Sequence, residues 1–149
     1  MIFPEIIYYD SSQGVTVTID ETGHHGFFCG RPQAYLNELC LLYGSTFEGR
    51  TQAFKILTGT VQKPACLISE SAGIVYFPTL SYRDDDCVWL CASAIYNVKA
   101  IDMHHSLVNF FNGNKIELAV NIRTVKKQMD RCEQFEVAMH KKAMNFQKK

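Results

Sequence analysis

Apolar and polar positions alternate over the first thirty residues, as they do along strands that are buried on one face. The segment "GVTVTID" at residues 14–20 alternates cleanly, and "IIYYD" at residues 6–10 precedes it across the turn "SSQG". A period of two places successive side chains on opposite faces of a sheet. The pattern predicts two paired strands, and "FFCG" at residues 27–30 is predicted to continue the sheet.

The apolar spacing changes to a helical period after residue 30. Apolar side chains recur at intervals of three and four over residues 35–43, with Pro32 before them and Gly44 directly after them. Proline suits the first turn of a helix, and glycine suits the position just beyond its end. A second helix is predicted to follow at once, with Ser45 as its N-cap and Glu48 as the partner in a capping box.

The second half of the chain predicts strands and then one long helix. Two short strands flank a turn in "ACLISESAGIVYFPTL" at residues 65–80, and "CVWLCASAIYNVKAI" at residues 87–101 predicts one long apolar strand, either regular or bulged. Asn-Gly at residues 112–113 predicts a hairpin with a type I′ turn. Helical spacing then runs over residues 122–147, and Asn121 is predicted to cap this helix.

Together these elements predict an α+β fold with a mainly antiparallel β-sheet, a central pair of helices and a long C-terminal helix. We expect a single domain over residues 1–149, with its core at about residues 6–121 and the C-terminal helix at about residues 122–147. A chain of this length buries a core of its own without disulfides or metals.

Composition agrees with an ordinary globular protein, because 47% of the residues are hydrophobic and 20% are charged. The N-terminus lacks the basic region and apolar run of a signal peptide. No apolar stretch approaches the roughly 20 residues that a membrane span needs. These features predict a cytoplasmic protein with no membrane association.

The cysteines and histidines do not form a recognisable metal or catalytic motif. Cys87 and Cys91 would lie about 13 Å apart along a strand, which is too far to share one ion. The adjacent histidines at residues 24–25 and 104–105 point in opposite directions on extended backbone. We therefore expect no metal, no cofactor and no enzymatic activity. All six cysteines lie in apolar surroundings and are predicted to be reduced core thiols: Cys29, Cys40, Cys66, Cys87, Cys91 and Cys132.

Charge is balanced overall and uneven along the chain. The formal net charge is zero, which taken alone argues against a strongly electrostatic nucleic-acid binder. Residues 1–30 carry four acidic side chains and no Lys or Arg, whereas residues 121–149 carry eight basic side chains against three acidic ones. Charge alone favours a solvated helix face as the explanation of the basic segment.

Gly49 and Arg50 lie in the first turn of the predicted second helix. Glycine costs about 1 kcal/mol relative to alanine inside a helix, so a close approach of the backbone to another group would justify it. Arg50 would then project from a helix N-terminus, where backbone N–H groups favour anions. Two interpretations stay open: a phosphate-binding turn, or a tight joint between helices with Arg50 in solvent.

Four short blocks in a fixed order give the sequence a family resemblance. The resemblance covers about residues 6–131, and the sequence resembles the ComK family of competence transcription factors. The blocks are Gly44-Ser45 with Gly49-Arg50, then Phe77-Pro78-Thr79, then Cys87 with Trp89, and finally Asn112-Gly113.

The resemblance implies a DNA-binding transcriptional activator that recognises A/T-rich boxes through the minor groove and the DNA backbone. The narrow, electronegative minor groove of A-tracts attracts Arg and Lys, and minor-groove proteins often bend the duplex. Family members are expected to assemble as dimers or tetramers. Arg50 belongs to a family block, and the other candidate contacts are chosen by charge and position. The predicted DNA-binding residues are Arg50, Lys63, Arg83, Arg123, Lys126 and Lys127.

The neutral net charge leaves a second function open. A protein of this family could regulate through protein partners without binding DNA itself. Phe77 and Trp89, although they belong to family blocks, fit the core better than a DNA contact. The apolar face of residues 122–146 fits either a dimer interface or the protein's own core.

Overall fold

A computed structural model describes residues 2–147, and the side chains of residues 2–144. Predictions that concern Met1, Lys148, Lys149 or the side chain of Phe146 lie outside this description. The described residues form nine strands and three α-helices, in the order β1 (Ile6–Asp10), β2 (Val15–Ile19), β3 (His25–Cys29), α1 (Pro32–Leu42), α2 (Phe47–Thr58), β4 (Cys66–Ser69), β5 (Ile74–Pro78), β6 (Val88–Cys91), β7 (Ile95–Asp102), β8 (His105–Phe110), β9 (Lys115–Leu118) and α3 (Ile122–Gln147).

Two antiparallel sheets carry the fold. The larger sheet has the strand order β3-β2-β1-β6-β5-β4, and the smaller has the order β7-β8-β9. The N-terminal strand β1 lies in the middle of the larger sheet, where Ile7 pairs with Trp89 of β6. This arrangement confirms the predicted α+β class, with its mainly antiparallel sheet, its central pair of helices and its long C-terminal helix.

The prediction of one long strand at residues 87–101 is wrong. A short 3-10 turn at Ala92–Ala94 divides this segment into β6 and β7, which belong to different sheets. The backbone N–H of Phe111 donates to the carbonyl of Ala94 at 3.0 Å, so the pairing of β7 with β8 extends back to this turn. Apolar residues continue through the turn because it lies against the core, and the local pattern therefore did not reveal the break.

The joint between α1 and α2 is made by two successive caps. Gly44 has φ of 73° and donates to the carbonyl of Leu41, while the N–H of Ser45 donates to the carbonyl of Cys40. These two bonds are the Schellman motif, which confirms Gly44 as the C-terminal cap. The predicted capping box at Ser45 is wrong, because Thr46 is the N-cap and accepts a hydrogen bond of 3.0 Å from the N–H of Gly49.

The hairpin at residues 110–115 forms as predicted, but its turn is of another type. Gly113 has φ of 95°, and Asn112 does not have the positive φ that a type I′ turn needs. The turn also attaches the smaller sheet to the N-terminus of the chain. The carboxylate of Glu5, which is 4% exposed, accepts hydrogen bonds from the amides of Asn114 at 2.9 Å and Asn112 at 3.4 Å.

The larger sheet is covered on both faces. Helix α1 packs on one face, where Leu36 and Cys40 belong to the same buried apolar cluster as Trp89. On the other face, helices α2 and α3 pack together with the smaller sheet, and the rings of Phe54 and Phe135 lie 4.9 Å apart. The apolar face of α3 from Val125 to Phe135 therefore belongs to the protein's own core. A dimer interface on the later part of the face, where Met144 is 44% exposed, stays a prediction.

The core also accounts for most of the cysteines and for two of the family blocks. Phe77 and Trp89 are buried, as their apolar surroundings predicted. Five of the six cysteines are buried and reduced, which confirms that prediction for them. Cys29 is a correction, since it lies exposed at the end of the edge strand β3, where alternate side chains point away from the core.

Candidate nucleic-acid interface

Lys63 is held in an unusual backbone conformation by helix α3. It is the one non-glycine residue with a positive φ, 55°, among residues 2–147. The side-chain amide of Gln128, which is 2% exposed, donates to the carbonyl of Lys63 at 3.0 Å and to that of Pro78 at 2.8 Å. Gln128 also accepts a hydrogen bond of 3.0 Å from the guanidinium of Arg131. One buried amide therefore positions two basic residues from separate parts of the chain.

Three basic side chains line a groove of about 500 Å³ beside this joint. Lys55 comes from the last turn of α2, Lys63 from the loop before β4, and Arg83 from the loop after β5. The guanidinium of Arg83 lies 5.0 Å from the ring centroid of Tyr82, over its face. The face of the aromatic ring attracts the guanidinium electrostatically.

A second depression of about 240 Å³ continues from the first. It is lined by Lys63 together with Lys127 and Arg131 of α3, and it shares Gln62 and Lys63 with the first groove. The two depressions form one surface, which we call the Lys63 groove. Its basic residues are Lys55, Lys63, Arg83, Lys127 and Arg131. Five cations around one concave surface produce a local positive potential in a chain of zero net charge.

The remaining basic residues of α3 divide between two sides of the helix. Residues four positions apart are neighbours on one helix face, so Arg123 extends the row formed by Lys127 and Arg131. Lys126 lies on another side, where the residue four positions later is Asp130. The structure thus brings Lys63, Arg83 and Lys127 together, places Arg123 in line with them, and does not bring Lys126 to the same surface.

Acidic residues beside Arg83 are partly neutralised within the protein. Asp85 forms an ion pair of 2.8 Å with Arg31, whose guanidinium also lies 4.6 Å from the ring centroid of Tyr9. The carboxylate of Asp84 accepts a hydrogen bond from the N–H of Asp86 at 2.9 Å. Part of the negative charge of this loop is therefore engaged in contacts within the protein.

Arg50 lies apart from the Lys63 groove. It borders a separate cavity of about 470 Å³ together with Tyr43 and residues 68–71. Its Nε atom is buried and has no hydrogen-bond partner among the described residues. The alternative that left Arg50 in solvent is wrong, because Arg50 is half-buried. The phosphate-binding interpretation stays a prediction. A Cβ added at Gly49 would meet the Thr46 hydroxyl at 3.1 Å, so the helix cap is the group that its backbone approaches.

Lys55, Gln128 and Arg131 belong to this surface, and the sequence-based prediction missed all three. Arg131 follows Lys127 by four residues, so helical spacing could have identified it. Lys55 was detectable only as an exposed basic residue in the last turn of a helix. Gln128 gave no signal, because its role depends on carbonyl groups 65 and 50 residues away along the chain.

Cys87 and Cys132 are buried thiols whose pKa values disfavour a nucleophilic role. Burial raises the pKa of Cys87 to about 11 and that of Cys132 to about 12, so both are protonated at neutral pH. Within residues 2–147 there is no group of three or more His, Cys, Asp or Glu side chains arranged to hold a metal ion. No helix in this part of the chain is both long enough and apolar enough to span a membrane.

Comparison with known proteins identifies the family. The family model described as "ComK protein" matches residues 1–144. A curated relative, the competence transcription factor of Bacillus subtilis (strain 168), is 28% identical over 101 residues, which are 68% of this chain. The match covers 53% of that relative, about half of its length. No solved structure matches the chain. Because the family model covers nearly the whole chain, the protein belongs to the ComK family.

Proposed function

We propose that this protein is a transcriptional regulator of competence that binds double-stranded DNA through the Lys63 groove. The observation that carries the proposal is the convergence of five basic side chains, from α2, two loops and α3, on one concave surface. Contacts of Lys and Arg with phosphate dominate the affinity of proteins for DNA. The name of the Bacillus subtilis relative agrees with this function.

Within this function, the Lys63 groove contacts the phosphate backbone, and A/T-rich boxes are recognised through the minor groove. Tyr82 and Arg83 form a stacked aromatic and cationic pair at one end of the Lys63 groove. Such a pair suits insertion beside the narrow minor groove of A/T-rich DNA. Arg123 lengthens the basic row along α3. Arg50 is a second contact, separate from this row. A dimer or tetramer would place two such surfaces on paired boxes, which compensates for the small charge of each chain.

The test is fluorescence anisotropy with a labelled duplex that carries two spaced A/T boxes, beside a G/C-substituted duplex, across a salt series. We expect tighter binding to the A/T duplex and a linear decrease of log affinity with log salt. Lys63→Gln is expected to weaken binding about three- to tenfold and to reduce the salt slope by about 1. Equal, salt-insensitive binding to both duplexes would contradict the proposal.

Lys99→Gln is the matched control for this substitution. Lys99 is exposed on β7 of the smaller sheet and does not line the Lys63 groove. The Lys99→Gln substitution removes the same charge from the chain as Lys63→Gln. An equal loss of affinity in both variants would show that net charge alone determines DNA affinity. Affinity that falls only for Lys63→Gln assigns the contact to the groove.

A second candidate is a regulator that acts through protein partners without DNA contact. The smaller sheet favours it, because Tyr96 and Phe111 are each 65% exposed and their rings pack edge to face at 5.4 Å. Exposed aromatic residues are enriched where proteins bind one another. This candidate gains support if no duplex binds and the Tyr96→Ser variant releases a partner that the parent protein retains.

A further inference from the structure

Two buried thiols lie in contact between helix α1 and strand β4. The Sγ atoms of Cys40 and Cys66 are 3.5 Å apart, and both residues are fully buried and reduced. Cys40 lies in the last turn of α1, and Cys66 is the first residue of β4. Because a disulfide joins sulfur atoms at about 2.05 Å, the two atoms need to approach by only about 1.5 Å.

The surroundings of the pair make the two thiols chemically unequal. The two sulfur atoms share a hydrogen bond, which lowers the pKa of Cys40. The positive charge of Arg50 lowers the pKa of Cys40 further, while burial opposes both effects. The same hydrogen bond, together with burial, raises the pKa of Cys66 well above its usual value. This is the pattern of a nucleophilic thiol beside a resolving thiol.

The pair lies only one layer below the surface. The residues that follow Cys40 at the end of α1 are exposed, with Leu41 at 52% and Leu42 at 62%. The cavity that Arg50 borders is open to small molecules on the same side of β4, beside Ile68. Both thiols are fully buried in the folded chain, and helix ends open more readily than helix centres. We therefore expect local opening of this end of α1 to admit a molecule the size of hydrogen peroxide to Cys40.

We propose that Cys40 and Cys66 form an internal redox pair, which a hydroperoxide converts into a disulfide between α1 and β4. The Cys40 thiolate attacks one peroxide oxygen, the O–O bond breaks, and the other oxygen leaves as hydroxide or alcohol. The sulfenic acid at Cys40 is then attacked by the Cys66 sulfur, and water leaves as the S–S bond forms. Two thiols are oxidised by two electrons, and one peroxide is reduced.

The pair differs from the other cysteines of the chain in having a partner in contact. Burial raises the pKa of Cys87, Cys91 and Cys132, which makes these thiols slow to oxidise. Cys29 is exposed and would react independently. A Cys29→Ser background removes this competing reaction without touching the core.

The experiment treats the folded Cys29→Ser chain with hydrogen peroxide and follows the intact mass and the tryptic peptides. We expect a loss of two hydrogens and one cross-linked product that joins the peptides of Cys40 and Cys66. Far-ultraviolet circular dichroism should stay unchanged, which shows that the reaction occurs in the folded protein. A chain that keeps both thiols, or that links them only after unfolding, would overturn the proposal.

Two variants test the order of the steps. Cys66→Ser should leave a sulfenic acid at Cys40 that dimedone traps, because the resolving thiol is missing. Arg50→Gln should slow disulfide formation several-fold with both cysteines present, since the charge that favours the thiolate is gone. An Arg50→Gln chain that oxidises at the parental rate, or dimedone found on Cys66 in Cys40→Ser instead, would contradict the assigned roles.

Discussion

The side chain of Gln128 donates a hydrogen bond of 3.0 Å to the backbone carbonyl of Lys63. This contact joins the long C-terminal helix to the loop before β4, and it carries Lys63 and Arg131 to the same surface. The Lys63 groove therefore depends on an uncharged, buried residue. Substitution of Gln128 therefore tests how the Lys63 groove is assembled, whereas substitution of its basic residues tests its charge.

Gln128→Ala should destabilise the fold and weaken DNA binding together. The substitution leaves the carbonyls of Lys63 and Pro78 without their amide partner, which costs about 2–3 kcal/mol of unfolding free energy. Urea denaturation measures this loss. Gln134→Ala is the matched control, because Gln134 is exposed on the same helix. A Gln128→Ala variant as stable as Gln134→Ala would show that the bridge contributes little.

Lys63→Gly should change stability and affinity in opposite directions. A side chain at φ of 55° is strained, and glycine relieves that strain, so we expect about 0.5–1 kcal/mol of added stability. Loss of the charge weakens DNA binding at the same time. Lys63→Gln keeps the Cβ atom, and we expect it to weaken binding without the gain in stability. Thermal unfolding of the two variants measures the relief of strain, and fluorescence anisotropy measures the loss of DNA affinity. Equal stabilities of Lys63→Gly and Lys63→Gln would contradict the backbone strain at Lys63.

Lys127→Gln should weaken DNA binding more than Lys126→Gln. These neighbours carry the same charge on the same helix, but only Lys127 lines the Lys63 groove. We expect a loss of about three- to tenfold in affinity for Lys127→Gln, with a salt slope lower by about 1. The Lys126 variant also tests the prediction, made from charge and position, that this residue contacts DNA. A larger effect at Lys126 would place the interface on the other side of α3.

Thr46→Ala should destabilise the protein by about 1 kcal/mol, whereas Ser45→Ala should have a much smaller effect. The Thr46 hydroxyl accepts the N–H of Gly49 and is the cap of α2, while the Ser45 side chain does not cap this helix. Urea denaturation of both variants measures the difference. Equal losses would indicate that the two hydroxyl groups share the cap.

Local signals in the sequence were sufficient for several elements of this fold. The alternation of "VTVTI", the helical spacing after residue 30 and the glycine at position 44 each act over a few residues. The backbone responds to such signals directly, since strand faces, helix faces and left-handed caps are local properties. The four ordered blocks likewise identified the ComK family before any contact was known.

The sequence by itself therefore determined the element types, the burial of Trp89 and the family. The tertiary structure alone decided that the turn at Ala92–Ala94 sends β7 into a second sheet, that Lys63 meets Arg131 through Gln128, and that Cys40 touches Cys66. Each of these relationships joins residues far apart in the chain or depends on which sheet covers a segment. The free energy that selects them comes from burial and hydrogen bonding between distant segments, which local periodicity does not encode.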